Sequence, residues 1–389
     1  MQYVYISMVV AAVAALNAPA QITREGRYWV ETVNGYAGGS PMERLRVDTV
    51  GNVVVTGDNS GKVTYRVKLR VRASDEREAE ARFHEFEVRS MAQNGLVRLT
   101  VRPPQNIPEG PELTVSAPRS LLQVWVESRG GNVEAKDLDG DLEARSAAGR
   151  IVVDHIKGKA GIRTGGGDIQ VGEVGGTLHC YSGAGVIRVD SVGGESWLDT
   201  AGGEVFVRQA AGPVHATTAG GNIRIERASS AVFTRTAAGL IEVQKADGAV
   251  TAESSAGAIQ VNAANGVRCE SSAGTIRLRN VDGPLRCSTS AGSILAELLS
   301  GNRIQDSSLS TNAGDITVFI ASNVALTVMA RNDSGGAMGR IISDFKEIRV
   351  KPASQPGASP VFAEGALNGG GPVLRINVNG GTIYLRREK

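Results

Sequence analysis

The chain has 389 residues, 49 of them glycine, but only seven Phe, seven Tyr and three Trp. Lysine and arginine number 42 against 40 acids, a formal net charge of +2, which excludes a strongly basic nucleic-acid binder and an acidic-tail protein. Apolar residues make up 41% of the chain, enough for a core, yet so few rings and so many glycines point to a thin interior bounded by tight turns.

In chain order, residues 8–16 form a short apolar run and Ala18-Pro19-Ala20 follows it. That pattern is expected to be a secretory leader covering residues 1–20, too short to anchor in a bilayer. Residues 62–72 alternate Val63, Tyr65, Val67, Leu69 and Val71 and read as a strand. Ser74 is expected to cap a short helix running from Asp75 to about Phe83, with acids in its first turn. Residues 85–89 and 96–101 flank Asn94-Gly95, a hairpin signal. Strands at 112–115 and 122–126 then lead onward. This stretch, residues 21–127, reads as a small α+β cap.

From residue 128 the sequence repeats. Glycines fall at Gly131, Gly149, Gly167, Gly185, Gly203, Gly221, Gly239 and Gly257, eighteen residues apart, then at Gly274 and Gly292. A second series lies midway, from Gly140 to Gly301, and one half-repeat ending at Gly274 is a residue short. Between glycines the apolar residues alternate: Ile151/Val153, Ile169/Val171, Ile187/Val189 and Val205/Val207 after the first series, and Leu142/Ala144, Leu178/Cys180 and Val214/Ala216 after the second. A hydroxyl recurs at a corner: Ser146, Thr164, Ser182, Thr200, Thr218, Thr236, Ser254, Ser271 and Thr289. These hydroxyls are expected to bond to one another and to turn backbone.

Each 18-residue unit thus holds two short strands and two turns, and cannot bury its own inner face. Stacked units can, with each strand pairing to its equivalent one coil away. The expected fold is all-β, a parallel β-solenoid rising roughly 4.8 Å per coil around a core about 10 Å thick, on the order of 50 Å long over ten coils. The regular solenoid is assigned to residues 128–301. Beyond Gly301 the period loosens, so residues 302–389 read as irregular coils and a cap. A proline-bearing loop is expected at 351–360, with closing strands at 373–378 and 382–385.

The lead-in Glu112-Leu-Thr-Val-Ser-Ala-Pro118, the repeated (Ser/Thr)-x-(Ala/Gly)-Gly-x-(Ile/Val)-x-(Val/Ile) unit, and the ending with Leu367-Asn-Gly-Gly-Gly371 and Ile376-Asn-Val-Asn-Gly-Gly-Thr-Ile383 together resemble the bacterial toast-rack, or putative-adhesin, family of β-strand-repeat proteins. The similarity covers roughly residues 45–389. It implies a right-handed β-solenoid outside the cytoplasm. The family motifs specify coils and turns, so no catalytic residue carries over, and this chain has Ala or Gly where many relatives have Asn in the turn.

The residues themselves point away from several chemistries. A calcium β-roll needs an Asp at a fixed turn position in nearly every half-repeat, and that Asp is not maintained. A polysaccharide-cleaving β-helix needs converging carboxylates. The charges at one turn (Lys136, Asp137, Asp139, Asp154, His155, Lys157, Asp190, Arg208, Glu226 and Arg227) are mixed in sign and read as a solvated edge with cross-coil ion pairs. No His or Cys spacing suits zinc, so neither a metal nor a cofactor is expected. Cys180, Cys269 and Cys287 share one inward slot. They read as three buried thiols, with a bridge between Cys269 and Cys287 as the alternative.

One outward feature departs from the rest. Three positions past successive midway glycines stand Glu143, Gly161, His179, Trp197, His215, Phe233 and Thr251. Four consecutive coils therefore place His179, Trp197, His215 and Phe233 in one row, with Phe206 a further ring on the other sheet. Such a row can stack on sugars or anchor a partner protein, or can simply shield the sheet by stacking on itself. The sequence therefore reads as an exported, non-catalytic, adhesin-like scaffold of the cell envelope, with an envelope polysaccharide or another envelope protein as partner. A carbohydrate-active β-helix enzyme and a self-assembling rod are the alternatives.

Overall fold

The computed structural model describes residues 22–38, 42–104, 110–299, 301, 303–334, 340–351 and 360–388. The expected leader lies outside these residues, as do positions 352–359 of the expected loop. By its internal contacts the chain divides into two compact units, Met1–Gly158 and Lys159–Lys389.

The second unit shows the solenoid in its regular form. Along one sheet Ile169 lies opposite Ile187, then Val205, Ile223, Ile241 and Ile259 in succession. Along the other, Ala160 leads to Leu178, Ser196, Val214, Val232 and Val250. All these pairings are parallel, and all these side chains are buried. Alternation puts every second residue inward, and each buried Val, Leu or Ile contributes about 1.5–3 kcal/mol. The short half-repeat is absorbed in one place. The strand after Gly257 shrinks to Ile259–Val261, where its predecessor spans Ile241–Ala246. Its neighbour Ala264–Ser271 carries a register shift between Asn265 and Val267, at Gly266 with φ +91°.

The recurrent glycines answer to crowding between coils. A Cβ on Gly221 would sit 1.9 Å from the Gly203 carbonyl oxygen, and one on Gly203 would sit 2.1 Å from that of Gly185. The corner hydroxyls bond to the backbone of these same turns. Thr218 donates to the Gly203 carbonyl at 2.9 Å and accepts from the Gly221 amide at 3.1 Å. Thr200, Thr236 and Ser182 repeat the motif. A hydroxyl buried at the rim thus satisfies one donor and one acceptor of the turn backbone, which would otherwise be left unpaired.

Pairing departs from chain order at the end of this unit. Strand Ser307–Ala313 pairs with Val373–Val378, which pairs in turn with Leu326–Asn332. In the other sheet Ile316–Ile320 pairs with Thr382–Arg387, which pairs with Arg340–Ser343. The closing strands are therefore inserted between two earlier coils. Buried Asn332 secures the insertion: its Nδ2 donates to the carbonyl oxygens of Gly381, at 2.9 Å, and Arg340, at 3.2 Å. Antiparallel strands Val361–Leu367 and Arg349–Lys351 complete that end.

The first unit interleaves in the same way. Its elements are β1 (Thr23–Glu25), β2 (Tyr28–Ala37), β3 (Arg44–Thr49), β4 (Asn52–Asp58), β5 (Val63–Val71), α1 (Glu76–Phe83), β6 (Glu87–Gln93), β7 (Leu96–Arg102), β8 (Glu112–Pro118), β9 (Gln123–Ser128), β10 (Val133–Leu138), β11 (Asp141–Ser146) and β12 (Ile151–Ile156). One sheet runs β1-β2-β5-β8-β4-β10-β12 and the other β6-β7-β3-β9-β11. The β3–β4 pair is a coil inserted between strands that come later in the chain. Antiparallel β2, β5 and β6 then cover parallel edges that would otherwise stay open. The α1 N-cap is Asp75, whose side chain accepts from the Glu78 amide at 2.9 Å; the expected cap, Ser74, instead donates through its amide and hydroxyl to the Glu78 carboxylate.

Candidate functional site

The outer face of the second unit's Ala160 sheet presents the aromatic row. Register places Gly161, His179, Trp197, His215, Phe233 and Thr251 on successive rungs. The four rings come together. Trp197 and His215 are stacked, with centroids 3.9 Å apart and planes 3° apart; His215 and Phe233 stack at 4.7 Å and 8°. His179 is tilted 38° from Trp197 at 6.4 Å. Rings in register on a parallel sheet stand one rung apart, about 4.8 Å, close to the spacing of a π-stack. Register therefore permits face-to-face packing, and the rotamers of Trp197, His215 and Phe233 complete it.

This geometry has a chemical consequence. The inner faces are occupied by neighbouring rings, so the row turns its edges to solvent as a ridge. Sugar rings cannot stack along its length; only the end faces, Trp197 toward His179 and Phe233 toward Thr251, lie outside the close stack. Trp197 is 41% exposed and Phe233 42%. His215 is more enclosed and its Nε2 lies 3.1 Å from Glu195 Oε1, which ties the stack to the neighbouring turn. A second row runs beside the ridge, with exposed Tyr181 packed under the Arg163 guanidinium at 4.7 Å. Phe206 lies half-buried on the other sheet, between the rungs of Arg188 and Arg224.

The charged turn is a set of local pairs. In the first unit Lys157 reaches Asp139 at 2.8 Å and holds its carboxyl below the usual carboxylate range. His155 Nδ1 lies 3.0 Å from Asp154, and His155 and Asp137 occupy equivalent corners with φ of 52° and 61°. In the second unit Arg208 lies 3.3 Å from Asp190. Among the described residues no group of three His, Cys, Asp or Glu side chains could hold a metal ion. The three cysteines are buried free thiols, Cys269 directly opposite Cys287. Burial pushes the Cys180 thiol up, and a hydrogen bond with Cys287 together with burial pushes Cys269 up, so neither is a ready nucleophile.

Further along the same outer face lie residues that the sequence reading passed over: Arg268, Arg286 and Arg375, which border a cleft of about 440 Å³. The signal was present, because carrying the aromatic row past Thr251 reaches Arg268 and then Arg286.

No family model matches the chain, and no curated protein does. Among solved structures it is similar to a "putative cell adhesion protein" from Clostridium sporogenes, at 10% identity over 92% of this chain and all of that one, with a TM-score of 0.20. It is also similar to a "putative adhesin" from Bacteroides fragilis, at 14% identity over 64% of this chain and 96% of that one, with a TM-score of 0.31. No residue role transfers at that level of superposition. Among the described residues no helix is long and apolar enough to cross a membrane.

Proposed function

We propose that this protein is an exported, non-catalytic β-solenoid of the cell envelope that works by contact, in the manner of an adhesin or scaffold, and that the ridge of His179, Trp197, His215 and Phe233 is its contact surface. The observation that carries this reading is the exposure of Trp197 and Phe233, in a chain poor in aromatics, on a strand-built face. Contiguous exposed apolar surface is one of the marks of an interaction site. The stacked rings present edges and only two end faces, which suits the side chains of a partner protein better than a row of sugars. Rings already locked by stacking lose little conformational freedom on docking. The leader-like residues 1–20 support an extracytoplasmic location.

The test is a double substitution, Trp197→Ala with Phe233→Ala. Both side chains point to solvent, so the melting temperature should move by no more than a few degrees. Retention of the protein on isolated envelope fractions, or its recovery of a co-eluting envelope protein, is expected to fall at least tenfold. Unchanged retention by a folded variant overturns the contact role.

A further inference from the structure

On the second unit's surface, opposite charges commonly face each other across a rung: Asp190 with Arg208, Arg224 with Glu242, Arg235 with Glu253 and Arg279 with Glu297. The pattern has exceptions, Arg227 opposite Lys245 and Glu253 opposite Glu270 among them, and one more runs on along a cleft. Arg268 lies opposite Arg286, Arg286 opposite Ser308, and Ser308 opposite Arg375. At about 4.8 Å per rung, Arg268 and Arg286 stand side by side and Arg375 follows two rungs on. Like charges directly opposed across strands are destabilising. Arg268 is relieved by Glu270, at 2.5 Å. Arg286 and Arg375 are exposed and have no ion-pair partner among the described residues. Two guanidinium groups without an ion-pair partner among the described residues thus flank Ser308 at the edge of a cleft, an arrangement that an anion would neutralise.

The rest of the cleft says which anion. An Arg fork matches a planar carboxylate in bidentate fashion. Ser288 and Ser308 add hydroxyls, and Glu270 and Asp306 add carboxylates along the same cleft. A phosphate backbone, as in nucleic acid or polyphosphate, brings few hydroxyl donors and would set its charge against those two acids. A polymer whose anionic groups alternate with hydroxyls meets both: its carboxylates meet the arginines and its hydroxyls donate to Glu270 and Asp306. We propose that this cleft binds a carboxylated polysaccharide, a chain of uronic acids laid across the rungs, with Arg286 and Arg375 gripping its carboxylates. The site shares no residue with the aromatic ridge and does not depend on what the ridge contacts.

The experiment titrates the full chain calorimetrically with polygalacturonate, alginate and hyaluronate, and with methyl-esterified polygalacturonate as a neutral control. At least one uronan should bind, with affinity that falls as salt rises. Arg286→Ser with Arg375→Ser should weaken that binding at least tenfold at an unchanged melting temperature. The charge-preserving pair Arg286→Lys with Arg375→Lys should weaken it several-fold, because the fork is lost. Trp197→Ala with Phe233→Ala should bind the uronan as the parent does, which separates this site from the ridge. The proposal is overturned if none of the three uronans binds, if the ester or inorganic polyphosphate binds equally well, or if the Arg286/Arg375 variants keep full affinity.

Discussion

The regular coils of the second unit and its end are built from the same parts and assembled by different rules. Through most of residues 160–298 each strand pairs with the one eighteen positions further along, so every contact is a short step in the chain. At the end, Asp315 receives a hydrogen bond from the Thr382 amide, 67 residues away, and Val373–Val378 slides between two coils made before it. The rungs look alike in cross-section, with buried alternating Val, Leu and Ile, but one region is locally encoded and the other is closed by distant chain. Local stacking makes a repeat replaceable; insertion makes a segment indispensable.

The largest expected effect tests that contrast directly. Ending the chain after residue 372 removes the inserted strands and with them buried Leu374, Ile376, Val378, Ile383 and Leu385. At about 1.5–3 kcal/mol each, the loss is on the order of 10 kcal/mol, comparable to the whole stability of a domain. Residues 307–351 should then become cleavable under limited proteolysis that leaves the intact chain whole. Excising residues 241–258, one full regular coil, removes a similar number of residues yet rejoins Leu240 to Ile259 in register. That variant should fold and melt within roughly 10 °C of the parent; if it unfolds as the truncation does, the contrast fails.

Within the regular coils the turn glycines sharpen the same point. Gly221→Ala forces a Cβ against the Gly203 carbonyl and should cost about 1–3 kcal/mol in chemical denaturation. Gly220→Ala, where the nearest atom lies 3.9 Å away, should cost close to nothing. Equal effects would show that crowding between coils is not what selects glycine.

The smallest effect lies in the first unit's cap. Two hydrogen bonds from Ser74, with Arg82 alongside, hold the Glu78 carboxyl down to about 2. A depressed carboxylate pKa contributes stability that is present above its ordinary value of 4.5 and is lost as pH falls through about 2. A carboxyl-carbon NMR titration should find Glu78 ionised at pH 3.5, with α1 loosening only below that; a midpoint near 4.5 would refute the arrangement.

The regular coils were legible in the sequence because periodicity is a local signal, and eighteen-residue register fixed which residues face inward. The β3–β4 coil was not read as one, although Gly51-Asn52-Val53-Val54-Val55 fits the motif of Gly131-Asn132-Val133-Glu134-Ala135. It stands alone in its stretch of chain, and its neighbours Leu113 and Val133 lie far along it. A single repeat has no period. The closing strands were likewise recognised as strands and not as insertions, since nothing in Val373–Val378 names Ser307–Ala313 as its partner. For the site, row membership followed from spacing, whereas the stacking of Trp197 on His215 is a matter of rotamers that spacing does not set. The Asp75 cap was missed because Ser74 and Asp75 are both good caps, and only the reach of Glu78 back to Ser74 decides between them.

The inserted closing strands also set an order of assembly. A ribosome delivers residues 326–332 long before residues 373–388, yet until the latter arrive the former have only the antiparallel strand Val361–Leu367 beside them and no coil on the other edge. This end of the molecule must therefore wait, unfinished, while earlier coils have already stacked. Its strand edges stay available to any passing β-strand until residues 373–387 have been synthesised and have docked.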